Sequence, residues 1–151
     1  LQAQCLEPES GDFVVLRRDG LIAYHLAVVV DDFEQGVTEV VRGVDLLDST
    51  PRQIWLQRLL GYPTPAYAHI PVAITADGQK LSKNTGAPAI QLDDAPNTLV
   101  LALDALGQSP PADLGANSLE AVWKWASEHW QLALLEGCSS IPASGFAMAE
   151  P

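Results

Sequence analysis

The sequence predicts an α/β fold with a small helical appendage at its C-terminal end. Strand-like and helix-like segments alternate along the first part of the chain, whereas the later part contains only helix-like segments; this order is typical of α/β domains. Nearly half of the 151 residues are apolar (48%). This is enough for one domain with a packed core, and it excludes general disorder.

The N-terminal part predicts a hairpin followed by a second extended segment. Asp12–Leu16 has the pattern of a short strand, and Arg17–Gly20 carries a hairpin-turn signal. Leu21–Val30 is apolar and β-branched toward its end, which is typical of a strand buried on both faces. Asp31 and Asp32 end this segment, and Thr38–Arg42 predicts the next strand.

A helix and a further strand are predicted in the middle of the chain. Asp48, Ser49 and Thr50 are all candidate N-caps, and apolar side chains with helical spacing extend over Pro51–Leu60. Gly61 ends the helix. Ile70–Thr75 predicts a strand that ends in a turn at Asp77-Gly78.

The last third predicts two helices joined by a proline-rich linker. The first covers Ala95–Leu106, and the second covers Leu119–Leu135 with Ser118 as its cap. One face of the second helix carries large apolar side chains, which we interpret as core packing rather than a base-stacking platform. These side chains are Trp123, Trp130 and Leu134.

The charge of the chain limits the partners that it can bind. Eight basic and 19 acidic residues give a net charge of −11, which argues against general nucleic-acid affinity. Five cations nevertheless lie in one stretch: Arg42, Arg52, Arg58, Lys80 and Lys83. A local positive patch on an acidic body can bind ATP or make a limited tRNA contact; the alternative is a set of scattered surface charges.

Several other classes are not expected. No segment approaches the ~20 apolar residues of a membrane span, and the start has no basic n-region of a signal peptide, so we expect a cytoplasmic location. Residue 1 is not Met, which suggests that it is not a natural translation start. Cys5 and Cys138 are expected to be free thiols. Without a Cys/His cluster, no zinc site is expected within the chain.

The pentapeptide Lys80–Asn84 is the strongest local signal of chemistry. It follows the predicted turn at Asp77-Gly78 and places two lysines around Ser82. Ammonium groups are compact charges that can follow a phosphate, and a hydroxyl supplies a further donor. The pattern predicts a phosphate-binding loop; the alternative is a solvated surface turn.

Five blocks in order resemble the class I glutamyl-tRNA synthetases, and in finer detail a truncated paralogous family, the glutamyl-queuosine tRNA(Asp) synthetases. The blocks are Asp19–Asp32, Val41–Leu47, Thr50–Ile54, Tyr67–Pro71 and Lys80–Lys83. Three features favour the paralogous family. These are the form of Asp45–Thr50, the polar Asn84 after the lysines, and the short remainder after Ile90, which leaves no room for a large anticodon-binding region.

The resemblance implies a fold and a set of domains. It implies the second half of a Rossmann-type class I synthetase catalytic domain at residues 1–92, a helical appendage at 93–137 and a flexible tail at 138–151. The ATP-binding HIGH-like motif, the first strands and a zinc-binding insertion of the family are expected in a missing N-terminal half. The chain is then expected to be inactive alone.

The resemblance also implies roles for individual residues. Tyr24 and Arg42 are implied to bind the substrate glutamate, with Tyr24 near the carboxyl ends of the strands. Lys80, Ser82 and Lys83 are implied to bind ATP with Mg²⁺, and both lysines to act in catalysis by stabilising charge on the phosphates.

Other readings of these residues stay open. Tyr24 can be a core tyrosine, and Arg42 can be paired with Asp45 or Asp48. Asp45 can accept from the substrate amino group or hold Arg42. Arg52 and Gln53 can face the cleft or solvent, and His69 can approach ATP.

The implied activity is ATP-dependent activation of L-glutamate and its transfer to the queuosine base of tRNA(Asp), by an enzyme expected to be a monomer. Two alternatives remain at this stage. One is a fragment of a glutamyl-tRNA synthetase that charges tRNA(Glu). The other is a non-catalytic binding module derived from a synthetase.

Overall fold

The computed structural model describes residues 4–82, 87 and 93–143. The chain divides into two compact units, Leu1–His69 and Ile70–Pro151, which are described separately. The domain boundary predicted after residue 92 is implied by the family resemblance. It is a different boundary from the one between the compact units, and it stays a prediction.

The first unit begins with a short helix and a hairpin. Helix α1 covers Leu6–Glu9. Leu16 pairs with Ile22 in an antiparallel bridge, and the amide of Gly20 donates to the carbonyl of Arg17 at 3.0 Å. The predicted turn at Arg17–Gly20 is therefore confirmed, but the predicted strand Asp12–Leu16 is reduced to the bridge at Leu16.

The predicted strand Leu21–Val30 is wrong, because this segment forms helix α2, Tyr24–Glu34. Ala23 is extended and occupies the N-cap position without a side-chain hydrogen bond. Asp31 and Asp32 lie inside the helix rather than ending the segment. An unbroken apolar run does not distinguish a buried strand from a helix. The β-branched residues near its end favoured the wrong alternative.

A two-stranded sheet and helix α3 complete the first unit. The strands are β1, Glu39–Gly43, and β2, Ala66–Ile70. They run in the same direction, because the amide of Ala66 donates to Thr38 at their starts and Arg42 contacts His69 at their ends. Helix α3, Thr50–Leu60, connects them, preceded by a 3-10 segment at Val44–Ser49. Its predicted stop is confirmed, since Gly61 adopts φ 71°.

The second unit pairs two short strands that are far apart in sequence. Strand β3, Val72–Ile74, pairs in parallel with β4, Ser140–Pro142. The predicted strand Ile70–Thr75 is thus divided between two sheets at Pro71, which has no amide to donate. The Asp77-Gly78 turn is confirmed. The amide of Gly78 donates to the carbonyl of Thr75 at 2.9 Å and closes the turn, and Gly78 has φ 81°.

Two helices form the core of the second unit. Helix α4 covers Ala95–Ala105 and helix α5 covers Leu119–His129, with 3-10 segments at Leu114–Ala116 and Leu132–Leu135. The Ser118 cap is confirmed, because its hydroxyl accepts from the Ala121 amide at 3.3 Å. The core cluster consists of Leu103, Leu114, Val122 and Ala126.

Two predictions at the C-terminal end need correction. Helix α5 ends at His129 rather than Leu135, since the buried Gln108 side chain accepts from the Gln131 amide at 2.8 Å and so holds that backbone outside the helix. In the segment predicted as a flexible tail, residues 140–142 form β4, and residues 144–151 lie outside the described part.

Candidate active site

Arg42 lies at the centre of a group of polar side chains at the ends of β1 and β2. Its Nη2 donates to the Thr50 hydroxyl at 2.8 Å and to the Leu46 carbonyl at 3.4 Å. Its Nε donates to Nε2 of His69 at 3.4 Å, and the Thr50 hydroxyl lies 3.0 Å from the same nitrogen. The guanidinium is therefore held by three separate elements of the first unit.

An aromatic ring supports the same guanidinium. The Arg42 Cζ lies 5.3 Å from the centroid of the Tyr67 ring, within cation–π range. Gln57 donates to the Tyr67 hydroxyl at 2.9 Å and so restrains the ring. Burial raises the pKa of Tyr67 from its ordinary value, against the opposing influence of Gln57 and Arg42. The tyrosine is thus a neutral support for the cation.

Two histidines, His69 and His25, have pKa values that are lowered in part by the charge of Arg42. Burial lowers the pKa of His69, and the charge of Arg42 lowers it further. Burial likewise lowers the pKa of His25, followed by the charges of Arg52 and Arg42. The charges of both arginines therefore act on His25, the second residue of α2.

The electrostatics of this group favour an anion. Arg42 makes no ion pair with any acidic residue that the structure describes, so the predicted alternative of a pair with Asp45 or Asp48 is not found. Helix α2 has no acidic residue in its first turn. Helix N-termini carry partial positive charge and bind anions.

Tyr24 does not lie in a buried strand as predicted. It is the first residue of α2 and is 52% exposed, so the alternative of a core tyrosine is wrong. Its ring lies 5.6 Å from that of His25, and its hydroxyl is near enough to Tyr67 to influence the pKa of that residue. Tyr24 and Arg42 thus both influence the pKa of Tyr67, and their joint role in binding stays a prediction.

Thr50, Arg52 and Gln53 differ from their sequence interpretations. Thr50 is the first residue of α3 rather than its cap, and its hydroxyl contacts Arg42 and His69. Arg52 donates to the Asp48 carbonyl at 3.2 Å. Gln53 faces neither the cleft nor solvent: it is 1% exposed, and neither atom of its amide has a hydrogen-bond partner among the described residues.

The lysine loop belongs to the second unit and is described only in part. Lys80 is exposed and pairs with Ile74 in an antiparallel bridge. The Ser82 carbonyl accepts from the Ala87 amide at 3.1 Å. Lys83 and Asn84, predicted to contact ATP and to mark the paralogous family, lie outside the described residues. Phosphate binding by this loop stays a prediction.

Sequence reasoning missed Tyr67, His25 and the contact role of Thr50. The signal for Tyr67 and His69 was their two-residue spacing, which places both side chains on one face of β2. No comparable signal was available for His25, because it was assigned to a strand.

The described part of the chain offers neither a metal site nor a membrane span. No group of three or more His, Cys, Asp or Glu side chains there could hold a metal ion. No helix there combines the length and apolar character needed to cross a membrane. Cys5 and Cys138 are free thiols, as predicted.

Comparison with known proteins identifies the family of the chain. Residues 3–122 match the family model "tRNA synthetases class I (E and Q), catalytic domain". The chain is 52% identical over 139 residues to the glutamyl-Q tRNA(Asp) synthetase of Pseudomonas fluorescens Pf-5, covering 92% of this chain and 47% of that protein. It is 59% identical over 132 residues to that of Aromatoleum aromaticum EbN1, covering 87% and 42%. The chain thus spans less than half the length of these curated relatives.

Solved structures agree in fold. A glutamate tRNA ligase from Elizabethkingia meningosepticum, solved with its amino acid, matches with TM-score 0.58 and 24% identity over 87% of this chain and 30% of its own. A glutamate-tRNA synthetase from Elizabethkingia anophelis matches with TM-score 0.61 and 24% identity, covering 89% and 31%. These likenesses establish the predicted fold class, a partial class I catalytic domain. With most of its residues matched by the family model, the chain belongs to the class I tRNA synthetases (E and Q).

Proposed function

We propose that this chain supplies half of an active site that activates L-glutamate with ATP and transfers it to the queuosine base of tRNA(Asp). The observation that carries the proposal is Arg42, a cation held by Thr50, His69 and Tyr67 without a carboxylate partner among the described residues. The relatives named glutamyl-Q tRNA(Asp) synthetase support the choice of reaction.

Arg42 is suited to bind the side-chain carboxylate of glutamate. Its Nε and Nη2 are engaged by the protein, whereas its Nη1 has no hydrogen-bond partner among the described residues. An arginine whose geometry is fixed in advance binds a carboxylate at lower entropic cost. A site built for a charged carboxylate rejects glutamine, because the amide leaves the cation without a counter-charge. The exposed hydroxyl of Tyr24 is available as a further donor.

Activation joins the α-carboxylate of glutamate to the α-phosphate of ATP and releases pyrophosphate. Negative charge develops on the phosphates, and positioned cations stabilise it. We assign this role to Lys80 and Lys83, with Ser82 as a further donor and Mg²⁺ arriving with ATP. In the second step, the queuosine hydroxyl attacks the glutamyl carbonyl, and AMP leaves. The remaining half of the cleft, the tRNA and a cytoplasmic location are parts of this proposal.

The second candidate is charging of tRNA(Glu), the reaction suggested by the names of the solved structures. Those structures are only 24% identical to this chain, whereas relatives named glutamyl-Q tRNA(Asp) synthetase reach 59%. We therefore favour tRNA(Asp).

The test uses the complete protein that carries this chain. We expect glutamate-dependent ATP–pyrophosphate exchange without tRNA, and a loss of about 100-fold or more in Lys83→Ala, since such charge-stabilising groups are each worth that much. Lys124→Ala is the matched control, because Lys124 is an exposed residue of α5 beside Glu128. Unchanged exchange in Lys83→Ala would remove the ATP role, and no exchange by the complete protein would favour a binding module.

The acceptor is tested separately. Radiolabelled glutamate should be transferred to tRNA(Asp) that carries queuosine and not to tRNA(Asp) that lacks it. Transfer to tRNA(Glu) instead would establish the second candidate.

A further inference from the structure

We propose that His69 is a positioning residue, which fixes the orientation of Arg42 toward the substrate carboxylate together with the hydroxyl of Thr50. The identity of that carboxylate rests on the proposed function. The hydrogen-bond arrangement itself rests only on the geometry of the first unit.

The arrangement is determined by which atoms can donate. Every nitrogen of an arginine side chain is a donor, so the Arg42 Nε at 3.4 Å requires Nε2 of His69 to be an acceptor. The proton of the neutral ring is then on Nδ1. The Thr50 hydroxyl accepts from Arg42 at 2.8 Å and has one proton to donate. Its two acceptors are Nε2 of His69 at 3.0 Å and the Leu46 carbonyl at 3.4 Å.

His69 therefore orients two edges of the guanidinium at once. The single lone pair of its Nε2 is shared between the Nε–H of Arg42 and the hydroxyl of Thr50, whose oxygen accepts from Nη2. The Tyr67 ring covers one face. With these groups in place, rotation of the guanidinium about its last bonds is restricted, and Nη1 keeps one direction. A protonated His69 would lose the acceptor and place a second charge beside Arg42.

The kinetic test uses paired variants in the complete protein. His69→Leu and Thr50→Val remove the polar atoms, and we expect the KM for glutamate to rise about tenfold in each, as for loss of a hydrogen bond to a charged group. The KM for ATP should change less than about twofold, because Arg42 contacts no part of ATP in this scheme. His69→Gln, which places an acceptor near the position of Nε2, and Thr50→Ser should recover most of the glutamate KM.

The control is His129→Leu, which removes an exposed histidine of the second unit. A merely structural role for His69 would be shown by parallel changes in both KM values, or by no recovery in His69→Gln and Thr50→Ser. Either result would overturn the proposal.

A second measurement is independent of activity. Long-range ¹H–¹⁵N spectra of the complete protein should show His69 with its proton on Nδ1, and loss of the corresponding signal in His69→Gln assigns it. A proton on Nε2 of His69 would overturn the proposed arrangement even in an active enzyme. The Nδ1 proton in a protein without glutamate-dependent exchange would leave the arrangement intact and overturn the proposed function.

Discussion

Helices α3 and α5 have the same length, 11 residues, but they bury opposite kinds of side chain. The buried residues of α3 are Thr50, Gln53, Leu56 and Gln57, of which only one is apolar. Those of α5 are Val122 and Ala126. Burying apolar area stabilises a fold, whereas burying amides that lack partners costs free energy. The comparison indicates that α5 serves stability, whereas two of the buried polar residues of α3, Thr50 and Gln57, contact Arg42 and Tyr67.

The largest expected effect is a loss of stability, and it tests the apolar core against which α5 packs. Leu103 of α4 is 4% exposed and packs in the cluster that includes Val122 and Ala126. Leu103→Ala should lower the free energy of unfolding by about 2–5 kcal/mol, through lost burial and a remaining cavity. Leu59→Ala is the control, because Leu59 is 64% exposed on α3; it should cost about 0.5 kcal/mol or less. Equal losses in urea titrations would contradict the comparison.

The second prediction is a gain in stability, and it tests the buried polar residues of α3. Gln53→Met replaces a buried amide, which has no partner among the described residues, by an apolar side chain of similar shape. We expect the free energy of unfolding to rise by about 1–3 kcal/mol. Gln57→Met should gain less, because it also removes the 2.9 Å hydrogen bond to Tyr67. A loss of stability in Gln53→Met, measured by urea unfolding, would mean that its amide is satisfied in solution.

The same contrast explains how much of the fold was predictable. Helix α3 and strand β1 follow from local signals, since Pro51 and Gly61 delimit the helix and Gly43 ends the strand. Helix α2 was not predictable from its apolar run, because burial favours either element there. The end of α5 depends on Gln108, which contacts Gln131 from a distant part of the chain.

The site was predictable by residue type but not by arrangement. The family resemblance indicates Arg42 and Tyr24, and both influence the pKa of Tyr67. The partners of Arg42 were not identified, because Thr50 and His69 meet it only after β1, α3 and β2 are assembled. A threonine before a helix is most often a cap, so the sequence alone did not indicate that Thr50 contacts Arg42 and His69.

A smaller effect concerns the pH dependence of stability. The pKa values of His25 and His69 are lowered in the folded state from 6.5, so the unfolded state binds more protons near that pH. The free energy of unfolding should be highest above about pH 7 and should decrease as the pH falls toward about pH 5. Urea unfolding at both pH values measures the loss, and His25→Gln with His69→Gln should reduce it. The pKa of the exposed Asp77 is also lowered, but it acts only below about pH 4.

The smallest effect on the free energy of unfolding is expected for substitution of Trp123 in α5. The predicted core packing of Trp123, Trp130 and Leu134 is wrong, because they are 55%, 40% and 50% exposed. The residue of this helix that packs against the core cluster is Trp125.

Helical spacing identifies residues that share a face, but it does not identify which face is buried. Val122 and Ala126, four residues apart, define the buried face of α5 instead. Trp123→Gln should therefore change the free energy of unfolding by about 0.5 kcal/mol or less. Trp125→Leu should cost more in the same urea titration, because it removes buried area and the ring stacked on His129 at 4.7 Å. A larger loss for Trp123→Gln than for Trp125→Leu would reverse the assignment of the two faces.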